Sequence, residues 1–448
     1  MSSDFDYLCV VKDFRVIVAV CLLCVLSTGL PAQEIRSDTV RVRKKAVQKQ
    51  GWSVIPFPNV GYTTDAGLNL GVLLNLYDYG RGADNIYPLR YQHLCISGVY
   101  TTKGAWYLHA YYDTRKLIPG VRMTGAATYK QAVASNFYGY NGIASPYHPE
   151  WDINKKHPEA FYSIRRRTGR VAVNFQGEIV GGLKWLAGAT YRYFGMEDYR
   201  RKSYVEENTL YRLYQDAGLI RPDEASGGML LEARAGIVFD TRNNDEAPTR
   251  GMYGEFYILG NADLLTKYYH YGKIVAHWRH YIPLWGERLI LAYHVGYQGL
   301  FAGRQPFYML QDISTLYPID CDLEGMGSYR TLRGTMFNRI LADSYAWANL
   351  ELRIKLFQFN FLRQHFDVYV NPFADAGAIT DPFRLEKQRS AGNDLIYSGK
   401  EAWVHGSAGL GLKVHVNQSM VISFEVARAF NPALVKGVGI AVTTGYIF

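Results

Sequence analysis

Residues 438–448 end the chain with the sequence Val-Gly-Ile-Ala-Val-Thr-Thr-Gly-Tyr-Ile-Phe. The larger side chains occupy the even-numbered positions, and small side chains occupy most of the odd-numbered positions. Successive residues of a strand point to opposite faces, so one face suits lipid and the other suits a narrow lumen. A chain that ends on Phe after such alternation is typical of a transmembrane barrel strand. The alternative is an edge strand of a soluble β-sandwich.

The same alternation recurs along the chain in segments of about ten residues, which is the pattern of transmembrane barrel strands. We count sixteen, at 52–62, 67–79, 89–101, 104–115, 121–131, 161–180, 184–195, 229–242, 251–260, 268–284, 288–302, 343–357, 365–378, 402–415, 419–429 and 437–448. The four longest connections, 132–160, 196–228, 303–342 and 379–401, all fall at odd-numbered junctions. The sequence therefore predicts an all-β fold, a sixteen-stranded antiparallel transmembrane β-barrel with long loops at one end. Within one such loop, residues 203–219 have a helical pattern.

Residues 1–32 have the pattern of a signal peptide, with Lys12 and Arg15 before an apolar run and Ala32 at the expected cleavage site. A signal anchor is the alternative. Residues 33–51 are short and polar, and we interpret them as a periplasmic leader to a barrel domain at 52–448. Only Cys95 and Cys321 then remain in an oxidising compartment, too few for a disulfide framework. The net charge of +9 is scattered, so nucleic-acid binding is not expected.

Catalytic and metal-binding motifs are not found in the sequence: the histidines form no HExxH, and no GxSxG or phosphate-binding glycine loop occurs. His405 and Ser407 share a predicted lumen face. They could belong to a barrel phospholipase, but polar residues of a lumen wall are the simpler interpretation. We therefore predict no catalytic residue, no metal, no cofactor and no enzymatic activity.

The segment Gly325–Arg339 is polar, glycine-rich and far too long for a hairpin turn. If it folds back into the lumen, Arg333 leaves bulk water and needs carboxylate partners, which a guanidinium can bind bidentately. The next two strands offer lumen-facing Glu351 and Asp375, and Gly334 allows a sharp turn beside the arginine. The alternative is that Arg333 is a solvated loop residue and the acids are ordinary lumen charges.

Several segments, in this order, resemble the outer-membrane assembly-factor superfamily, the BamA/TamA-like or bacterial-surface-antigen barrels. They are Asn136-Phe-Tyr-Gly-Tyr-Asn-Gly142, Phe239-Asp-Thr-Arg-Asn-Asn244, Pro248-Thr-Arg-Gly251, Thr331-Leu-Arg-Gly-Thr335, Asn349-Leu-Glu-Leu-Arg353, Pro372-Phe-Ala-Asp-Ala-Gly377 and Gly406-Ser-Ala-Gly-Leu-Gly-Leu412. The resemblance implies sixteen strands and a sixth surface loop that folds inward, its Arg333-Gly334 tip held by Glu351 and Asp375. The resemblance also implies that Asp240, Arg242 and Gly377 occupy positions of the family's sequence motifs.

This resemblance implies insertion or translocation of proteins, or of lipids, at the bacterial outer membrane through a weak seam between the first and last strands. The chain departs from the family at Thr335, where an aromatic residue usually follows the glycine, for which Phe337 could compensate. Residues 33–51 also cannot hold the family's periplasmic POTRA repeats, so a separate periplasmic or lipoprotein partner is expected. The alternative function is a narrow or plugged solute pore.

Prolines in the first strand point to where such a seam would be weak. Pro56 and Pro58 lie two residues apart, so their missing N–H groups face the same neighbouring strand. If that neighbour is the last strand, which contains Gly439 and Gly445, the seam lacks two donors.

Overall fold

The computed structural model of the chain describes residues 50–63, 67–80, 90–149, 151, 161–199, 209–244, 247–262, 264–265, 268–316, 325–327, 329–361, 364–416, 420–435, 437–444, 446 and 448. Sixteen antiparallel strands close into one barrel, each paired with its neighbours in sequence and β1 with β16. The strands are β1 (Trp52–Thr63), β2 (Gly67–Asp78), β3 (Gln92–Thr101), β4 (Ala105–Ile118), β5 (Val121–Asn136), β6 (Ser163–Val180), β7 (Leu183–Asp198), β8 (Gly227–Asp240), β9 (Gly251–Ala262), β10 (His270–Trp285), β11 (Leu289–Gly303), β12 (Ser344–Phe361), β13 (Gln364–Asp381), β14 (Val404–Val416), β15 (Met420–Ala429) and β16 (Gly439–Thr444). The predicted fold class and strand number are confirmed.

Alternation along each strand separates an apolar outer face from a polar inner face. On β12, Leu350 is 49% exposed whereas Glu351 is 0% exposed. The same change of face separates exposed Ile237 from buried Arg234 on β8. Because a charge on the lipid face of a barrel is costly, the charged residues of these strands collect inside. The predicted lumen-facing positions of Glu351 on β12 and Asp375 on β13 follow this pattern.

Two short α-helices lie between strands in the ranges that the structure describes, α1 (Leu210–Asp216) and α2 (Leu385–Arg389), with 3-10 turns at Gly142–Ala144, Phe307–Met309 and Pro432–Leu434. The predicted helix at 203–219 is shorter than expected where it can be followed, because Thr209 caps α1 by accepting a hydrogen bond from the backbone of Arg212. Residues 203–208 lie outside the described part. In the described residues no helix is long and apolar enough to cross a membrane.

The long connections pack together at one end of the barrel, which we call the loop end; the short turns define the turn end. Buried aromatic side chains from the connections after β5, β7, β11 and β13 form one cluster, including Phe137, Tyr140, Tyr214, Phe307 and Phe383. Asn141 joins two of these connections. Its side-chain amide donates to the carbonyl of Phe383 at 2.9 Å and accepts from the Phe383 backbone N–H at 2.8 Å. Aromatic packing and the hydrogen bonds of the Asn141 side chain therefore join these connections at the loop end.

Pairing between β1 and β16 is short. In the described residues it consists of two residue pairs, Tyr62 with Val442 and Thr63 with Ala441, whereas β1 and β2 form twelve pairs and β15 and β16 form six. In the part of the barrel that the structure describes, this is the junction with the fewest residue pairs.

The prediction that the last strand runs to Phe448 with its large side chains on the lipid face is wrong. β16 ends at Thr444, and Phe448 is 1% exposed, packed on Tyr281, Ile290 and Ala292 of the inner wall. Continuing the β1–β16 register would place Tyr446 opposite Pro58 and Phe448 opposite Pro56. Proline offers no N–H to a pairing strand, so the end of the chain makes its contacts inside the barrel instead. Gly445, like the predicted signal peptide 1–32 and the leader to residue 49, lies outside the described residues.

Candidate functional site

Arg333 lies at the centre of a buried ionic network on the inner faces of β12, β13 and β15. Its Nε and Nη2 donate to the two carboxylate oxygens of Asp375 at 2.8 and 2.7 Å, and its Nη1 donates to Glu351 at 2.6 Å. The Arg333 backbone N–H adds a bond to Asp375 at 3.0 Å. Burial by itself lowers the pKa of Arg333, but Asp375, Glu425 and Glu351 raise it above its usual range, so the guanidinium stays charged.

Two members of this network were not among the predicted anchors. Glu425 on β15 lies 3.3 Å from Arg333 Nη1 and 2.8 Å from Lys413 Nζ. The ring of Phe373 on β13 lies under the guanidinium, with its centroid 3.4 Å from Cζ. The sequence carried a signal for both, since each has the inward parity of its strand. Phe373 thus supplies an aromatic ring at Arg333, the role for which we had considered Phe337.

Gly334 brings this tip against the last strand. Its φ of +78° lies in the left-handed region, and a Cβ at Gly334 would be 2.7 Å from the carbonyl carbon of Ala427. A Cβ at Gly439 of β16 would lie 2.9 Å from the Cα of Gly334. Both positions therefore require glycine, because any side chain would separate the tip from the seam strand.

Glu351 connects the Arg333 network to the end of the chain. Its second carboxylate oxygen accepts from Arg353 Nε at 3.1 Å, and Arg353 Nη2 donates to the carbonyl of Phe448 at 3.1 Å. The Arg353 guanidinium also lies 3.6 Å from the ring centroid of Tyr446. The carboxylate of Glu351 thus bonds Arg333 of the loop tip and also Arg353, which holds Phe448.

The strand ladder fixes which neighbour Pro56 and Pro58 face. Gly51 exchanges backbone hydrogen bonds with residues 79 and 80 beside β2, and the β1–β2 register runs to Thr63 without a shift. In an antiparallel ladder the residues that bond a given neighbour alternate. Odd-numbered residues of β1 therefore bond β2, and the backbones of Pro56 and Pro58 are directed towards the β16 side.

The remaining motif positions shape the inner wall. Arg242 makes two bonds of 3.0 Å to the carboxylate of Asp240 at the end of β8, with its guanidinium 4.4 Å from the ring centroid of Tyr253. Gly377 on β13 leaves room for the long β11–β12 connection, because a Cβ there would lie 2.5 Å from the sulfur of Met326.

His405 and Ser407 both face inwards on β14, but no hydrogen bond joins the two side chains in the described residues. They form no nucleophile–base pair of the kind that hydrolysis requires. Within the described chain, no group of three or more His, Cys, Asp or Glu residues has the arrangement of a metal site.

A second contact of the β11–β12 connection was missed from the sequence. Asp312 accepts two hydrogen bonds from Arg192 of β7, at 2.8 and 2.9 Å. Burial raises the pKa of Asp312, but Arg192 more than offsets this and holds it below its usual range. A third contact is made by Arg339, whose guanidinium donates to the carbonyls of Gly142, Ser145 and Ala433.

Together, these features define a class: a transmembrane β-barrel whose longest connection is bonded to the inner wall and whose first and last strands meet at a short junction. The Omp85 superfamily domain matches residues 102–433, so the chain belongs to the Omp85 superfamily of outer-membrane β-barrel proteins. This confirms the resemblance noted from the sequence.

Solved structures with the same fold include two relatives at low identity. BamA from Haemophilus ducreyi lacking POTRA domains 1–3 matches with a TM-score of 0.54 and 16% identity, over 88% of this chain and 70% of that one. CdiB from Escherichia coli matches with a TM-score of 0.50 and 13% identity, over 90% of this chain and 64% of that one. The chain thus spans less than two thirds of CdiB, and the similarity at these identities concerns the fold. No curated protein sequence matches the chain.

Proposed function

We propose that this protein inserts or translocates other proteins at the bacterial outer membrane, with lipids as a second substrate class, by opening the seam between β1 and β16. It acts without enzymatic turnover. The observation that carries the proposal is the junction between these strands. Residues 52–61 of β1 pair with no described residue of β16, whereas all twelve residues of β1 pair with β2. Each missing ladder bond removes about 1 kcal/mol of net stabilisation, so the few described pairs make this junction easier to open.

Three features of the site support seam opening. Pro56 and Pro58 deny β16 two donors, and the tail beyond Thr444 makes its contacts with the inner wall. The tip at Gly334 touches Gly439 of the seam strand. We infer that the Gly325–Arg339 segment is the inward-folded surface loop and that its tip transmits the state of the lumen to the seam.

A solute pore is the less favoured function, because the aromatic cluster and the β11–β12 connection occupy the loop end. A phospholipase is disfavoured by the lack of a bond between His405 and Ser407. We further propose export by the signal peptide at 1–32, and substrate delivery by a separate periplasmic or lipoprotein partner.

A disulfide across the seam tests the proposal directly. In a background with Cys95 and Cys321 replaced by serine, cysteines at Tyr62 and Val442 occupy directly paired positions, whose Cα separation suits a disulfide. The matched control pair is Leu70 and Tyr100, the same type of pair between β2 and β3.

In cells depleted of the native protein, we expect the amounts of other outer-membrane barrels to fall. The oxidised seam pair should fail to restore them until a reductant is added, whereas the oxidised control pair should restore them. Full restoration by the oxidised seam pair would refute seam opening. A large conductance in planar bilayers that the oxidised seam pair leaves unchanged would favour a solute pore. Lipid hydrolysis that is lost on Ser407→Ala would favour a phospholipase.

A further inference from the structure

A group of cations faces the interior on β6, β7, β8 and β10, away from the Arg333 network. Arg170 and Arg192 lie directly opposite each other across β6 and β7, and their charges interact with each other and with Arg234 of β8. Lys273 of β10 is 1% exposed and interacts with the same carboxylates, Glu232 and Asp312. Like charges placed opposite one another are destabilising, so this arrangement needs compensation.

The two carboxylates in the group are already bonded. Glu232 accepts from Arg192 Nε at 2.6 Å and from the hydroxyl of Tyr271 at 2.8 Å. The carboxylate of Asp312 accepts hydrogen bonds from both terminal nitrogens of Arg192. The nearby Glu255 is bonded by Tyr253 and Thr315 and interacts with His277 and Arg279. These acids are therefore committed to other partners.

Arg234 is the cation left unmatched. It is 4% exposed, and its Nη2 donates to the hydroxyl of Thr190, but its Nε and Nη1 have no hydrogen-bond partner in the described residues. The hydroxyl of Tyr257, a residue 0% exposed, is likewise without a partner among the residues described. The guanidinium carbon lies 5.7 Å from the centroid of the Tyr257 ring. Three buried donors thus belong to two neighbouring side chains of the inner wall.

Burying a charge without a partner is unfavourable, and leaving buried donors without acceptors adds to this cost. A bound anion would remove both costs. A phosphate suits the position better than a carboxylate, because its tetrahedral oxygens can accept from donors on several strands. We propose that Arg234 and Tyr257, in the positive field of Arg170 and Lys273, form a binding site for a phosphate group inside the barrel.

The β11–β12 connection lies beside this site. Arg234 pairs with Gly188, two strand positions beyond the Thr190–Glu232 pair in the direction of the turn end. Asp312 contacts Arg192 on the loop-end side of this position, whereas Ser314 and Thr315 contact His277 and Glu255, which lie on its turn-end side in the strand register. The β11–β12 connection therefore runs past the site along the inner wall. The phosphate group could come from a lipid headgroup or from free phosphate.

Thermal unfolding of the purified full-length protein in a maltoside detergent tests this proposal, with loss of the heat-modifiable folded band as the readout. Sodium phosphate is titrated against sodium chloride at equal ionic strength. We expect phosphate to raise the unfolding temperature of the wild type. Arg234→Gln should unfold at a higher temperature than the wild type without phosphate, because a buried charge is gone, and should bind phosphate at least tenfold more weakly.

Two further variants make the result specific. Tyr257→Phe keeps the packed ring and removes one donor, so it should weaken phosphate binding severalfold while the barrel still folds. Arg288→Gln removes an exposed arginine at the β10–β11 turn and should leave the phosphate effect intact. A shift of equal size with chloride, or an undiminished phosphate shift in Arg234→Gln, would overturn the site.

Short-chain phosphatidic acid separates the two sources of phosphate. Binding at least tenfold tighter than inorganic phosphate, and sensitive to Arg234→Gln, assigns the site to a lipid headgroup. Equal affinities assign it to free phosphate. Either result supports the site. Neither depends on whether the seam opens, so failure here leaves the proposed function standing.

Discussion

Replacing Arg333 by methionine removes the cation that holds the β11–β12 connection to three strands. Three carboxylates, those of Glu351, Asp375 and Glu425, share three cations in this network, Arg333, Arg353 and Lys413. Without Arg333 one negative charge is left unmatched in a site that is almost fully buried. Removing one partner of a buried ion pair typically costs 3–5 kcal/mol.

The remaining bonds place the expected cost at the lower end of that range. Asp375 keeps a bond from Asn349 Nδ2 at 2.9 Å, Glu351 keeps Arg353, and Glu425 keeps Lys413. We therefore expect Arg333→Met to destabilise the barrel by about 3 kcal/mol. Adding Asp375→Asn removes the surplus negative charge, so the double variant should recover about 1–2 kcal/mol.

Heat-modifiability on gels measures the stability of each variant, and limited trypsin digestion reports whether residues 325–342 are released from the wall. Arg333→Met should lower the temperature at which the folded band is lost and expose this segment to cleavage. Arg333→Ala, and Glu351→Gln combined with Asp375→Asn, should impair function in the same assay of barrel levels. Unchanged stability and cleavage in Arg333→Met, or a double variant less stable than the single one, would refute the reasoning.

Three other predictions concern the seam, the tail and the loop end. Changing Pro56 and Pro58 to valine adds two donors facing β16, each worth about 1 kcal/mol once paired, so amide exchange in β16 should slow; unchanged exchange would contradict this. Arg353→Met should release Phe448 and make the C-terminus sensitive to carboxypeptidase, against a resistant wild type. Burial raises the pKa of Asp343 from 3.8 to about 6, so its ionised carboxylate destabilises the folded state. This destabilisation is absent below pH 4, grows between pH 4 and 6, and is complete above pH 6. Asp343→Asn should therefore be more stable than the wild type at pH 7.5 but not at pH 3.5, measured by thermal unfolding.

The strand pattern was accessible from the sequence because lipid outside and water inside impose strict alternation on every strand. The positions of Glu351 and Asp375 follow from that parity, since neighbouring strands must bring their inward residues together. Which loop residue meets them does not follow from parity. Arg333 was selected by its need for a carboxylate partner and by resemblance, whereas Asp312 and Arg339 carried no comparable local signal.

The residues after β16 show that alternation of large and small side chains is not sufficient to predict a strand. Residues 438–448 keep the pattern of a lipid-facing strand to the end, yet Tyr446 and Phe448 contact Arg353 on the inner side. A strand needs a partner that offers hydrogen bonds, and the prolines that withhold them lie nearly four hundred residues earlier in β1. Such a long-range effect becomes visible only when the register between β1 and β16 is known.

The inward position of Phe448 has a practical consequence for handling this protein. A purification tag fused after Phe448 would have to pass out of the barrel interior, and it would remove the terminal residue from Arg353. Tagged protein would then be biased towards a released tail, and preparations would differ in behaviour from the native chain. An affinity sequence placed before Trp52, or within an exposed turn such as that at Gly286, avoids this disturbance.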